Sequence, residues 1–232
     1  MSPHPKVFPR FVPIAEHAVL VEFSDTITPE AHEAVLALDA QIATASPAGV
    51  TDVVPGMVNL LVEFDPMISD HKAIMVVVRS LIGSPRIAIR EPRKHDVSVC
   101  YEEPFSTDLN EVAARTGLSE EAVIAEHLSG TYEVFMYGFA PGYAYLAGLP
   151  AALRLDRKSA PLPGVAAGSV IIAGAQALVT TLRMPTGWWI IGRSPTRILT
   201  GEDASPFLFD VGDLVRFRRI SLAEFEAQTP NV

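Results

Sequence analysis

The segment Gly138-Phe-Ala-Pro-Gly-Tyr-Ala-Tyr-Leu-Ala-Gly-Leu-Pro150 sets the reading of this chain. Glycine opens backbone conformations of positive φ and permits close approach by a ligand. Proline removes alternatives, and aromatic rings offer contact area at little entropic cost. Gly168-Ser-Val-Ile-Ile-Ala-Gly174 and Gly187-Trp-Trp-Ile-Ile-Gly-Arg-Ser-Pro195 repeat the theme downstream. Short β-rich runs surround these segments at Tyr132–Tyr137, Ser169–Ile172, Leu178–Leu182, Trp188–Ile191, Arg197–Leu199 and Leu214–Arg218. Many short strands broken by glycine and proline turns indicate a barrel or a sandwich whose loops shape a site.

Immediately upstream, Asp108–Gly117 and Ser119–Leu128 read as two short helices joined at a glycine, the outline of a helix-turn-helix. The second helix carries Glu120, Glu121 and Glu126 and no lysine or arginine, so it would meet phosphate with repulsion. The pair reads instead as a helical connector over about residues 107–129.

The N-terminal part follows a different rhythm. Ala18–Phe23 reads as a strand, and Thr28-Pro29-Glu30 opens a helix with Ala34, Leu38 and Ile42 on one face. Val50–Val54 and Met57–Phe64 flank Pro55-Gly56 as a hairpin, and a second helix spans about Ser69–Leu81 with Ile74, Val77, Val78 and Leu81 inward. Strand patterning returns at Arg86–Arg90 and Asp96–Tyr101, on either side of Arg90-Glu-Pro-Arg-Lys94. These elements predict an N-terminal α+β sandwich domain over 1–92, then a β-rich domain over 93–232.

Composition narrows the partners. With 49% hydrophobic and 19% charged residues the chain is globular, and a formal net charge of −9 argues against nucleic acid or an anionic membrane as partner. The single cysteine, Cys100, sits in the alternating Asp-Val-Ser-Val-Cys-Tyr and reads as a packed thiol in a strand. It leaves no intramolecular disulfide and no thiolate metal cluster, and no metal site is expected. The N-terminal Met-Ser-Pro-His-Pro-Lys lacks an apolar signal core, so a cytoplasmic location is expected.

Self-sufficient catalysis has no signature here. Gly164–Ser169 lacks the lysine and length of a phosphate loop, Gly192-Arg-Ser-Pro-Thr lacks the second glycine of a serine elbow, and Leu36 stands where a zinc protease motif begun at His32-Glu33 needs histidine. The remaining polar groups lie in sequence near the glycine–aromatic segments. His127 suits proton transfer near neutral pH, or equally complements a helix C-terminus. Arg193, at a strand end, suits an oxyanion or carboxylate, or a salt bridge closing the barrel. Arg154, Arg157 and Lys158 form a small basic group, either an anion site or a solvated face. Gln176 can read an amide or carboxyl edge or cap a turn. Tyr143, Tyr145, Trp188 and Trp189 form either a binding wall or core.

At these residues the chain resembles the family that contains the B subunit of 5-oxoprolinase, the sporulation-kinase inhibitor KipI and allophanate hydrolase subunit 1. It is also similar to the carboxyltransferase region of urea carboxylase. The resemblance runs through Val53-Val-Pro-Gly-Met-Val-Asn-Leu-Leu-Val-Glu-Phe-Asp-Pro66, His127, Gly138–Leu149, Ala167-Gly-Ser-Val170, Ala173-Gly174 with Gln176, and Gly187-Trp188 through Gly192-Arg-Ser-Pro195. It implies that the β-rich domain is a cyclophilin-like β-barrel, without implying prolyl isomerase activity.

The resemblance also implies an ATP-dependent enzyme complex that opens 5-oxoproline to glutamate. In it this chain works with two partners, a homologous cyclophilin-like barrel known as the C subunit, and the A subunit. Alternatives are a KipI-like inhibitor of a histidine kinase, and a carboxyltransferase acting on urea or a related amide. The chain carries no biotin-attachment motif, so biotin would arrive on a partner. The implied site is half of a shared one for a small amide or lactam, with His127 and Arg193 as catalytic candidates. Gly138, Phe139, Pro141, Gly142, Tyr143, Tyr145, Arg154, Gln176 and Trp188 are the expected substrate contacts. Departures from the family pattern at Ala160–Gly164, Ala177–Thr181 and Thr186–Trp189 cluster near this expected pocket.

Overall fold

A computed structural model describes residues 7–84 and 91–229. The chain divides into two compact units, Met1–Glu91 and Pro92–Val232.

In the first unit, β1 (Arg10–Ile14), β2 (Ala18–Glu22), β3 (Val50–Pro55) and β4 (Asn59–Phe64) form an antiparallel sheet in the order β1-β2-β4-β3. β1 is an addition to the sequence reading. Its Pro13 suggests a break, but β1 is an edge strand, where a missing N–H costs no ladder bond. Helix α1 (Pro29–Ala45) starts as expected, with the Thr28 side chain accepting from the Ala31 N–H. Helix α2 (His71–Ile82) starts where Asp70 accepts from the Ala73 N–H. Alternate β4 residues Leu60, Val62 and Phe64 meet Val35, Leu38 and Ile42 of α1 and Ile74 and Val78 of α2 in one core. Val35 is fully buried, whereas the expected Ala34 is only half-buried. The strand expected over 86–90 lies outside the described residues.

The second unit is a closed barrel. Its strands are β5 (Lys94–Cys100), β6 (Tyr132–Tyr137), β7 (Ala144–Ala147), β9 (Ser169–Ala173), β10 (Gln176–Val179), β12 (Trp189–Arg193) and β13 (Leu214–Ile220), closing in the order β10-β7-β6-β13-β5-β12-β9. Closure leaves none of these strands an open edge. β5 and β13 pair in parallel from Lys94 with Leu214 to Cys100 with Ile220. The Cys100 thiol is buried, and burial raises its pKa, as suits a packed rather than a reactive sulfur. Helices α3 (Leu109–Thr116) and α4 (Glu120–Ser129) are joined at Gly117 in a left-handed turn and place Val112, Val123 and Ile124 in the barrel core. A short ribbon of β8 (Leu162–Val165) and β11 (Met184–Thr186) adds a separate two-stranded sheet. Helix α5 (Leu222–Gln228) begins with a capping box between Ser221 and Glu224.

Two strand expectations are corrected. Arg197–Leu199 is not a strand: between Pro195 and β13 the chain forms an isolated bridge, Leu199 with Phe207. The Gly138–Pro150 segment is not all loop, because its second half is β7, paired with both β6 and β10.

Strand periodicity decides which side chains reach which face. Val134, Ala144, Leu146, Val170, Ile172, Trp189 and Ile191 share one core cluster with α3 and α4. Their neighbours Tyr143, Ile171, Ala173, Leu178, Trp188 and Ile190 form a second cluster with Val165 of the ribbon, against which Tyr145 and Met184 pack. Trp188 and Trp189 therefore point to opposite faces of the wall.

Candidate functional site

The loop Gly138–Gly142 lies between two cavities of opposite character. It is a tight structure, in which the Ala140 N–H donates to the Gly138 carbonyl and the Tyr143 N–H to the Ala140 carbonyl. This bend puts Phe139 at φ 71°, a left-handed conformation costly for an aromatic residue, and leaves the residue 71% exposed. Gly142, at φ 70°, lies so close to the next segment that a Cβ would stand 2.8 Å from Leu199 Cδ2.

On one side is an open cavity of about 420 Å³. Its lining includes Gly168, Thr180, Thr181, Arg193, Ser194 and Arg197, with no carboxylate among the described residues. The Thr181 hydroxyl donates to the Pro141 carbonyl at 2.7 Å, tying the glycine–aromatic loop to this wall. Gly168 has φ 81°, and a Cβ there would stand 2.5 Å from the Ser194 carbonyl oxygen, so glycine is what lets the two segments close.

Arg193 leaves β12 beside this junction. Its guanidinium lies over the Phe105 ring at 4.7 Å, and Phe105 in turn packs on Phe225 at 4.5 Å. The Arg193 Nε is buried with no hydrogen-bond partner, and burial lowers the group's pKa. The guanidinium stays charged at neutral pH regardless. A half-buried cation facing hydroxyls and backbone, with no carboxylate in the lining, attracts a planar anion. Arg197 adds an exposed second cation to the same lining.

On the other side is a cavity of about 100 Å³, lined by Phe139, Tyr143, Tyr145, Thr186 and Trp188, with Arg157 among its lining residues. Phe139 packs on Tyr143 at 5.5 Å, and Tyr145 meets Trp188 edge-on at 5.9 Å.

The expected site is thereby split. Arg193 belongs to the first cavity, Phe139, Tyr143, Tyr145 and Trp188 to the second, and Gly138, Pro141 and Gly142 shape the loop between them. Arg154 is exposed and lines neither. Gln176 opens β10 in register with Ala147 and Ala173 and lines neither. Lys158 is no solvated cation: it pairs with Asp108, whose Oδ2 also accepts from the Ile190 N–H.

His127 requires a correction. It is fully buried in α4, 2.7 Å from the Tyr101 hydroxyl through Nδ1, with its ring 4.5 Å from that of Phe217. The Tyr132 hydroxyl donates to its backbone carbonyl. Burial pushes its pKa down to about 3, so the ring is neutral throughout the physiological range. Nothing of it reaches either cavity, because α4 turns this side chain into the barrel core.

Some cavity residues were not read as site residues from sequence. Thr180 and Thr181 entered only as a departure from the family pattern, Ser194 only as part of the Gly192–Pro195 block, and Arg197 as the start of an expected strand. Phe105 had no signal, since it reaches Arg193 across the fold. Among the described residues no group of His, Cys, Asp and Glu side chains is arranged to hold a metal, and no helix is long and apolar enough to cross a membrane.

Comparison with known proteins agrees with this architecture. Residues 9–209 match the family described as carboxyltransferase domain, subdomain C and D. The chain is 33% identical over 226 residues to the 5-oxoprolinase B subunit of Bacillus subtilis (strain 168), covering 92% of this chain and 94% of that protein. To the 5-oxoprolinase B subunit of Haemophilus influenzae it is 32% identical over 208 residues, covering 90% and 96%. The crystal structure of TTHA0988 superposes with a TM-score of 0.77 at 33% identity over 89% of this chain. This chain spans 40% of the length of TTHA0988. The match across both units shows that the chain belongs to the carboxyltransferase-domain family, subdomains C and D, with B subunits of 5-oxoprolinase among its relatives.

Proposed function

We propose that this chain is the B subunit of a heteromeric, ATP-dependent 5-oxoprolinase and that the Arg193 cavity is its share of the lactam site. The observation that carries the reading is a half-buried guanidinium whose Nε has no hydrogen-bond partner, at an open cavity with no carboxylate among its described lining residues, in a chain whose relatives carry that name. Opening 5-oxoproline adds water across the lactam C–N bond, and oxyanion charge develops on the carbonyl oxygen while the ring carboxylate stays charged. Arg193 holds one of these anionic groups, and the Phe105 ring fixes the guanidinium plane. The groups that activate water and couple ATP come from two partner chains, the homologous barrel of the C subunit, and the A subunit. This division of labour fits a chain without a nucleophile motif or a phosphate loop.

The test is reconstitution with those two partners. Glutamate formation from 5-oxoproline should require this chain and ATP, and Arg193→Ala should lower kcat/KM by about 100-fold or more, the usual scale for losing an oxyanion donor. Full activity without this chain overturns the reading. The carboxyltransferase description of the family favours one second reading, carboxyl transfer to a small amide with biotin supplied by a partner. Activity that depends on a biotinylated carrier and bicarbonate, and not on the A subunit, would select it.

A further inference from the structure

We propose that the cavity between Tyr143, Tyr145, Thr186 and Trp188 is a second ligand site, distinct from the Arg193 cavity, for a small monocarboxylate with a compact apolar body.

Its size and lining set the body. About 100 Å³ is the share of roughly three waters, which suits one small ring or branched chain. Ile171, Leu178, Pro185 and the aromatic rings supply apolar walls, a poor environment for water and a good one for hydrocarbon.

Three polar groups set the head. Tyr143 is 3% exposed, and its hydroxyl is buried with no hydrogen-bond partner. Buried hydroxyls are almost always satisfied, so an orphan in a cavity wall is best explained by an acceptor that arrives with a ligand. Burial pushes the Tyr143 pKa up to about 12, which keeps it a donor. Thr186 is buried as well; its oxygen accepts from the Trp188 N–H at 3.1 Å, leaving the hydroxyl proton to donate. Arg157 lies 5.7 Å from the Trp188 ring centre, and its charge bears on the Tyr145 hydroxyl. Arg157 pairs with no carboxylate among the described residues. Two hydroxyl donors and a guanidinium, with no carboxylate among the described lining residues, select an acceptor-rich anion. The aromatic walls around them exclude a large or strongly hydrated one. A quaternary ammonium, the other usual guest of aromatic walls, is disfavoured by Arg157.

This site does not depend on the proposed lactam chemistry. It is tested by isothermal titration of the full chain with cyclopentanecarboxylate and with cyclopentanecarboxamide, its uncharged counterpart. The carboxylate should bind saturably and the carboxamide at least about tenfold more weakly, the scale of one charge-assisted hydrogen bond. Arg157→Ala should weaken the carboxylate by a similar factor. Tyr143→Phe should weaken it about fivefold while its thermal midpoint stays at or above that of the parent, because a purely structural hydroxyl leaves affinity unchanged. Arg193→Ala should have no effect on this titration. No saturation at millimolar probe, equal binding of acid and amide, or insensitivity to both Arg157→Ala and Tyr143→Phe overturns the proposal. Loss on Arg193→Ala alone would move the ligand to the other cavity and likewise overturn it.

Discussion

The two cavities are connected through the Gly138–Gly142 loop, which lines one with Phe139 and braces the Thr181 wall of the other, yet they differ in nearly every physical respect. The Arg193 cavity is open, hydroxyl-lined and cationic, with glycine at Gly168 allowing two backbones to touch. The Tyr143 cavity is about a quarter of the size and walled by aromatic rings. The difference teaches how little sequence distance says about a site. Trp188 and Arg193 lie at the two ends of one short segment and serve different cavities, while Arg193 and Phe105 are far apart in sequence and in contact.

Removing a wall should be the most damaging way to break this comparison. Trp188→Ala deletes a 6% exposed ring from the cluster beneath the β8–β11 ribbon and should cost about 3–5 kcal/mol, seen in chemical unfolding. A cost below about 1 kcal/mol would mean that this wall is not packed as described.

Gly168→Ala attacks the other cavity. Its Cβ must displace the Ser194 carbonyl from a left-handed backbone, at about 1–3 kcal/mol of strain, with Arg193 displaced beside it. Reconstituted 5-oxoprolinase activity should fall with it, whereas cyclopentanecarboxylate binding at the Tyr143 cavity should survive. Loss of both together would show the cavities to be one coupled site.

The buried histidine offers a pH test. His127 titrates at about 3 in the folded chain, against about 6.5 when unfolded. The unfolded chain therefore takes up the proton first. His127 costs no stability above pH 6.5, and stability is lost at about 1.4 kcal/mol per pH unit as pH falls from 6.5 toward 3. Both tryptophans, Trp188 and Trp189, lie in the barrel unit, so their fluorescence reports on it. Unfolding followed this way should show about 2 kcal/mol less stability at pH 5 than at pH 7, and His127→Phe should flatten that slope. An unchanged slope in the variant would place the titration elsewhere, His32 being separated by its position in the first unit.

Smallest is Tyr143→Phe, expected to change stability by less than about 1 kcal/mol and in the stabilising direction, because it removes an unsatisfied buried hydroxyl. A clear destabilisation in thermal unfolding would reveal a hydrogen bond at that hydroxyl and weaken the contrast between the cavities.

Local rules carried the sequence reading well where they act alone. Thr28-Pro29 opens α1 and Gly117 ends α3, because capping depends on residues within one turn. β-Rich runs between glycine and proline turns located β4, β6, β9 and β13. This reading failed at β7, where glycine and proline on both sides disguise a central strand, and at β8 and β11, which are too short and too rich in proline to show a period.

What the residue patterns determined by themselves was an N-terminal α+β sandwich followed by a β-rich barrel or sandwich, the family resemblance choosing the barrel, together with the absence of a self-contained catalytic motif and the importance of the glycine–aromatic run. These follow from periodicity, capping and the conformational demands of glycine, all of which are local. Tertiary structure alone decided that the run lines one cavity while only bracing the wall of the one that holds Arg193, that His127 points into the core, and that Phe105 seats Arg193. Each depends on which face of a strand or helix turns inward once the barrel closes, and closure joins strands from opposite ends of the unit through hydrogen bonds that no local pattern encodes.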